Sequence, residues 1–256
     1  RNQLNRISDT LYQFTDDDAA GAVLLTTAGA VVVDPMNTET ALWLKRELDT
    51  RFGQTVSYVI YSNHLDDRIG GTDVFAADGA RVVAHENTLA HLPGSETHTP
   101  PDIVFSDKLS LMLNSTSLDL HYFGKSVTDT AIIAHFPDEQ AVYAGALVAV
   151  EALPKLTDET VATAFMPAWF SAINRMNRID FIYLLTAQRN IGIQHDGIEH
   201  GYFLRELYHR VQQSQASGET LETLQNSLSM DNYRRWRNQE QLPILIKGIH
   251  QLIAQD

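Results

Sequence analysis

The stretch Tyr61-Ser62-Asn63-His64-Leu65-Asp66-Asp67-Arg68-Ile69-Gly70-Gly71 decides how the rest of the chain is read. It extends an apolar run over residues 57–62 that reads as a strand, and it leads into a Gly-Gly turn and a short helix. Asn63, His64, Asp66, Asp67 and Arg68 form a dense polar loop between two regular elements. Such loops often hold sites, because the scaffold is rigid and the loop is free to vary. Composition alone leaves two alternatives open, a metal or acid/base centre and a solvated turn with a helix cap.

Working outward, residues 21–27 and 30–34 read as strands around the turn at Ala28-Gly29. Ala41, Leu44, Leu48 and Phe52 fall on one face of a helix that Gly53 stops. A strand is expected at 81–84. Beyond residue 102 the pattern is nearly all strand, at 103–105, 108–113, 117–123, 131–136 and 141–149, with breaks at Asn114-Ser115, Gly124 and Pro137-Asp138. After Glu151 the pattern turns helical. Phe181, Leu184 and Leu185 read as one stripe, Leu204, Leu207, Tyr208 and Val211 as another, and Leu245, Ile249, Leu252 and Ile253 as a third. Strands with interspersed helices, then a helical tail, imply an α/β sandwich with a C-terminal helical extension.

The 256 residues provide volume for a sizeable core, and 44% hydrophobic with 20% charged side chains is ordinary globular composition. No apolar run approaches the roughly 18 residues that span a bilayer. Nineteen Lys and Arg oppose 32 Asp and Glu, a formal charge of −13, and the whole excess lies in residues 1–170. Such a surface repels phosphate backbones and anionic membranes, so neither nucleic acid nor membrane is expected as a partner. There are no cysteines, which excludes disulfides, thiolate zinc sites and a cysteine nucleophile. The first residue is Arg1 rather than Met, which favours an exported, periplasmic or secreted protein over a cytoplasmic one.

The loop at 61–71 resembles the signature of the metallo-β-lactamase superfamily, His-x-His-x-Asp-His followed by a Gly-Gly turn. Further stretches fit in the family's order. Val31-Val32-Val33-Asp34 resembles its early strand ending in Asp, and Val83 through Thr88 its segment after the second helix. Gly124 through Asp129 resembles the Gly-x-x-His-Thr-Asp loop, and Tyr143-Ala144-Gly145-Ala146 the strand ending in Gly-Asp. The tail, with Tyr233, Trp236 and Leu242-Pro243, resembles the helical extension of one branch. The resemblance covers residues 8–255. It implies a four-layered αββα sandwich, a metallo-β-lactamase-like domain over 1–197, and a C-terminal helical extension over 198–256 packed on that domain.

The resemblance also implies one or two metal ions, usually zinc, held by imidazoles and carboxylates at about 2.0–2.2 Å. Position by position, the family's ligands fall on Asn63, Leu65, Asp67, Arg68, Val127, Ala146 and, near the last His, Asp196. Leu65, Val127 and Ala146 offer no lone pair. The dinuclear site is therefore expected to be lost, with no metal or other cofactor required unless zinc or iron sits at a displaced site. In its place those seven residues are expected to line a ligand pocket with an Asp67–Arg68 polar floor, since an unpaired buried charge is costly. The expected function is a catalytically degenerate homologue that binds a small-molecule ligand or serves a structural or regulatory role. The alternative is a hydrolase of an ester, lactone or sulfate-like bond that uses a displaced metal or no metal.

For that alternative the catalytic candidates are Asp67, His64 and His195, and a displaced metal would draw on His64, Asp66, His85, Asp129, His195 or Asp196. Positions 63, 65 and 67 face inward in the family, which turns His64 and Asp66 away from the old centre. His91, His98, His121, His209 and His250 read as surface or strand-face residues. Nucleophilic catalysis without metal would need Ser62, Ser126 or Thr128 beside His64 or His195. Asp16-Asp17-Asp18 reads as a solvated turn. Met166 through Phe170 reads as an apolar loop that could line the pocket or a subunit contact. The stripe from Leu245 to Ile253 could close the core or join a homodimer.

Overall fold

The computed structural model describes residues 1–92 and 98–255. Its first sheet has seven strands in chain order: β1 (Asn2–Arg6), β2 (Leu11–Asp16), β3 (Ala19–Leu24), β4 (Ala30–Val33), β5 (Val56–Ile60), β6 (Arg81–His85) and β7 (Ile103–Phe105). The first four run antiparallel, and β4 to β7 are parallel. The second sheet contains β8 (Lys108–Leu113), β9 (Thr116–His121), β10 (Ile133–Phe136), β11 (Ala141–Tyr143), β12 (Tyr183–Leu185) and β13 (Gly192–Ile193), in the spatial order β13-β12-β11-β10-β9-β8.

Alternation along the strands builds the layers. Val31 and Val33 of β4 point into the inter-sheet core with Leu24 and Ile60, where they meet Leu118, Leu120, Ala134 and Phe136 of the second sheet. Val32 points the other way, onto Ala41, Leu44 and Leu48 of α1 (Thr38–Phe52). The Asn37 side chain caps that helix by accepting the Thr40 N–H at 2.9 Å, and Gly53 ends it in the left-handed conformation at φ 60°. Three short helices follow on the first sheet's side: α2 (Asp66–Ile69), α3 (Asp73–Ala76) and α4 (Thr88–His91).

The outer face of the second sheet is covered by the remaining helices: α5 (Asp158–Ala162), α6 (Met166–Met176), α7 (Gln194–Ala216), α8 (Leu221–Ser227) and α9 (Leu242–Ile253). Ile133, Val142 and Leu184 pack there with Trp169, Phe203, Leu207 and Ile246. The architecture is a four-layered αββα sandwich. No described helix is long and apolar enough to cross a membrane.

Several elements differ from expectation. Strands β1 and β2 precede the first strand read from sequence, and the run at 141–149 leaves the sheet after Tyr143. Residues 183–185, expected to be helical, form β12, which pairs parallel with β11. Leu184 faces the outer core and Leu185 the inter-sheet core, so both are buried, and a short run buried on both faces has no period to betray it. Met166 through Phe170 is no loop. It is the start of α6, with Trp169 buried and its Nε1 donating to the Leu147 carbonyl at 2.8 Å. Leu245 and Ile249 are buried in the outer core, and Leu252 and Ile253 pack against it. Helix α7 begins at Gln194 and runs through residue 197 without interruption.

Candidate functional site

The loop after β5 is fixed from beneath by Asp34, at the end of β4. Its carboxylate is fully buried: Oδ1 accepts the Ser62 N–H at 2.8 Å, and Oδ2 accepts the Ser62 hydroxyl at 2.6 Å. The Tyr143 oxygen lies 2.7 Å from the same Oδ2 and 3.0 Å from the Ala20 carbonyl. One hydroxyl proton cannot serve both acceptors. Burial raises the Asp34 carboxyl above its ordinary value, against the opposing charge of Arg68. The Tyr143 hydroxyl is thus shared between the Asp34 carboxyl and the Ala20 carbonyl, and it ties β11 to β3 and to the end of β4. Gly145 closes over this knot with φ 55°, and a Cβ there would lie 2.5 Å from Ser62 Oγ. Ser62 is therefore a structural hydroxyl.

Above the knot, Leu65 stands between two clefts and lines both. The first, of about 290 Å³, has Asp17, Asp18, Asp67, Arg68, Lys155 and Gln188 as polar lining and Ala146, Val148, Ala149 and Pro154 as apolar wall. Arg68 lies almost wholly buried at its floor. Its Nη2 donates to Asp67 Oδ2 at 2.6 Å and its Nη1 to the Ala187 carbonyl at 3.2 Å. The adjacent charge triad holds Asp18 against Lys155 at 2.8 Å and against Arg237. Asp16 accepts from the Thr40 hydroxyl at 3.1 Å. Asp17 accepts from the Arg1 nitrogen at 2.6 Å, so all three acidic residues at 16–18 are partnered, and the turn is a tie between layers rather than merely solvated.

The second cleft, of about 510 Å³, is lined by His64, His91, Val127, Thr128, Asp129, Glu159 and Phe165 with Leu65. His64 and His91 stack with ring centroids 3.7 Å apart and planes 7° from parallel. His91 Nε2 lies 2.7 Å from Asp129 Oδ1, and His64 Nδ1 lies 2.8 Å from Thr130 Oγ1. Burial, then the neighbouring His91, pushes His64 down to about 4, so its imidazole is neutral at pH 7.

The seven residues expected in one pocket are thus divided. Leu65, Asp67, Arg68 and Ala146 meet in the first cleft, and Val127 lies in the second. Asn63 is buried beneath the loop, where its Oδ1 accepts the Leu65 N–H at 2.9 Å. Asp196 is elsewhere. It caps α7, with Oδ2 accepting the Ile193 N–H at 2.7 Å. From the loop beyond β12, the polar side chain that reaches the cleft is Gln188.

The three catalytic candidates do not converge either. Asp67 lines the first cleft and His64 the second, while His195 is exposed on α7, 3.6 Å from Glu199. Neither His64 nor His195 hydrogen-bonds Ser62, Ser126 or Thr128. His85 is buried, with Nε2 3.1 Å from the Ser106 carbonyl and Nδ1 accepting the Asn87 N–H at 3.2 Å, so both nitrogens are spent on structure. His91, expected at the surface without a role, is the residue sequence missed. Nothing in its spacing announces that α4 carries it onto His64.

Two groups among the described residues place three metal-ligating side chains within 4.8 Å of one another, His64 with His91 and Asp129, and Asp119 with His121 and His135. The second lies on β9 and β10, where His135 sits directly across from Asp119.

No family model matches the chain. It is 26% identical over 155 residues to a metallo-β-lactamase type 2 of Elizabethkingia meningoseptica, covering 57% of this chain and 62% of that protein. It is 28% identical over 158 residues to a metallo-β-lactamase type 2 of a Bacillus species, strain 170, covering 61% and 60%. The matches thus span about three fifths of these relatives' lengths. Among solved structures, a metallo-β-lactamase from Pontibacter korlensis superposes with a TM-score of 0.71 at 19% identity, covering 80% of this chain and 99% of its own. A double mutant of the sec-alkyl sulfatase PisA1 superposes with a TM-score of 0.80 at 16% identity, covering 98% of this chain and 50% of its own. The chain has the metallo-β-lactamase fold, and the curated relatives support its membership of that superfamily.

Proposed function

We propose that this metallo-β-lactamase-fold chain is a catalytically degenerate relative of that family's hydrolases, which binds a small organic molecule in the first cleft. The observation that carries the proposal is the donor set around Leu65. Leu65, Val127 and Ala146 have no side-chain nitrogen or oxygen, and the Asn63 oxygen is spent on the Leu65 N–H. Asp67 is the one carboxylate at those positions, and it is turned onto Arg68. These residues do not fit a dinuclear zinc centre, which needs three or four lone pairs at about 2.0–2.2 Å from each ion. The cleft that remains combines an apolar wall with Gln188, Lys155, the Asp17 and Asp18 carboxylates and the Arg68–Asp67 pair, the mixture that orients a small ligand.

The test is a thermal-shift screen of metal-free protein against small organic acids, alcohols and sulfate esters, repeated on Ala146→Phe. A ligand that raises the Tm of the parent but not of the variant supports the proposal. Zinc-dependent hydrolysis of a generic β-lactam, ester or sulfate ester that disappears in Asp67→Asn would overturn it. A second reading, hydrolysis at a displaced cation, is favoured by one observation, the meeting of His64, His91 and Asp129 in the second cleft.

A further inference from the structure

We propose that His64, His91 and Asp129 form a binding site for one divalent transition-metal ion of the zinc class, displaced from the family's centre and facing the second cleft. Imidazole and carboxylate are the donors such ions take, and three protein ligands leave an open position for water or a substrate atom. The ligands come from three elements, the loop after β5, helix α4 and the loop before β10, so only the fold brings them together.

The site is supported from behind. The Asp129 carbonyl accepts from Asn87 Nδ2 at 2.8 Å and from the Tyr122 hydroxyl at 3.0 Å. Asn87 begins α4, which ends at His91, so the same hydrogen bond that holds the Asp129 loop also holds the helix carrying the second ligand. Thr130 Oγ1 accepts the His64 backbone N–H at 3.2 Å and engages Nδ1 of its ring at 2.8 Å, a bond that leaves Nε2 uncommitted. Outer hydrogen bonds of this kind set tautomer and ring orientation in metal sites. A cation would replace the direct His91–Asp129 contact and would require the exposed His91 ring to turn out of its parallel stack with His64, so that the in-plane lone pairs of both imidazoles converge on one ion.

The electrostatics agree. Asp129 and Glu159 line the cleft, and no Lys or Arg is among its described lining residues. Lys125, the cation beside it, is held over the Phe165 ring at 4.8 Å. Asp119, His121 and His135 lack this advantage, because Lys108 Nζ lies 3.1 Å from Asp119 Oδ2 and already occupies the carboxylate. This site does not depend on the ligand assigned to the first cleft, which is screened without metal, so the two can fail separately.

The test uses the full chain stripped with chelator, desalted, and titrated with zinc alone at pH 7.5 by calorimetry, with retained metal counted by mass spectrometry. About one equivalent is expected in the parent. His91→Gln and Asp129→Asn should each weaken zinc binding by at least about tenfold, whereas Asp119→Asn should leave it unchanged. Circular dichroism melts identify any variant that fails to fold, and His91, at an exposed position, keeps the comparison available. Failure to retain zinc, undiminished binding in both His91→Gln and Asp129→Asn, or loss in Asp119→Asn instead would each overturn the site.

Discussion

The Tyr143 hydroxyl lies 2.7 Å from Asp34 Oδ2 in a fully buried pocket beneath the loop after β5. Because Asp34 is raised by burial, its contribution is complete below the ordinary carboxylate value of 3.8 and is lost as pH rises through the folded value. Asp34→Asn keeps a neutral side chain that tolerates the left-handed backbone at φ 56°. It should cost about 1 kcal/mol or less and remove this pH dependence. Asp34→Ala strands the Ser62 and Tyr143 hydroxyls and should cost about 3 kcal/mol. Urea denaturation of both variants at several pH values checks the order.

Arg68 is buried under the first cleft, whereas its partner Asp67 keeps 65% of its side chain exposed. Their ion pair is therefore screened and contributes little, and the guanidinium's packing and its bond to the Ala187 carbonyl carry most of its effect. Arg68→Ala should destabilise by about 2–3 kcal/mol, a fall in Tm of roughly 5–10 °C for a chain of this size, while Asp67→Asn should change Tm by little. An unchanged Tm in Arg68→Ala would show that the guanidinium is not a structural floor.

His200 is fully buried in α7, with Nδ1 accepting the Ala149 N–H at 3.3 Å and its ring stacked parallel to Trp236. Burial lowers it to about 4. A depressed histidine contributes stability that is present above the unfolded value of 6.5 and is lost as pH falls towards 4. About 3 kcal/mol should disappear over that window. His200→Phe should be less stable at pH 7, since the Ala149 N–H loses its acceptor, but its stability should fall less between pH 6.5 and 4. Calorimetric melts across that range test the difference in slope.

Ala146 is half-buried beside Gly145, on the wall of the first cleft. Ala146→Phe should fill much of the 290 Å³ while leaving Tm within about 1 kcal/mol of the parent, because the new ring enters open space rather than the packed core. Chemical-shift changes on adding a screened ligand should then vanish around Leu65 and Gln188. Persistence of the shifts in the variant would place the ligand elsewhere.

The sequence by itself determined the sandwich and the chemistry of the loop. Alternating valines at 31–33, the helical stripe from Ala41 to Leu48 and the Gly70-Gly71 turn are local signals, and each became the element it announced. The absence of lone pairs at Leu65, Val127 and Ala146 is a property of residue type and needs no fold to be read. The tertiary structure alone decided which polar side chains share a cleft. His64, His91 and Asp129 are separated by 27 and 38 residues, and they meet because α4 and the loop before β10 converge on one end of the strands. The exchange of Asp196 for Gln188 has the same origin. Leu184 and Leu185 of strand β12 are buried on opposite faces and so show no alternation, and only the strand's parallel pairing with β11 fixes which side chain beyond it enters the site.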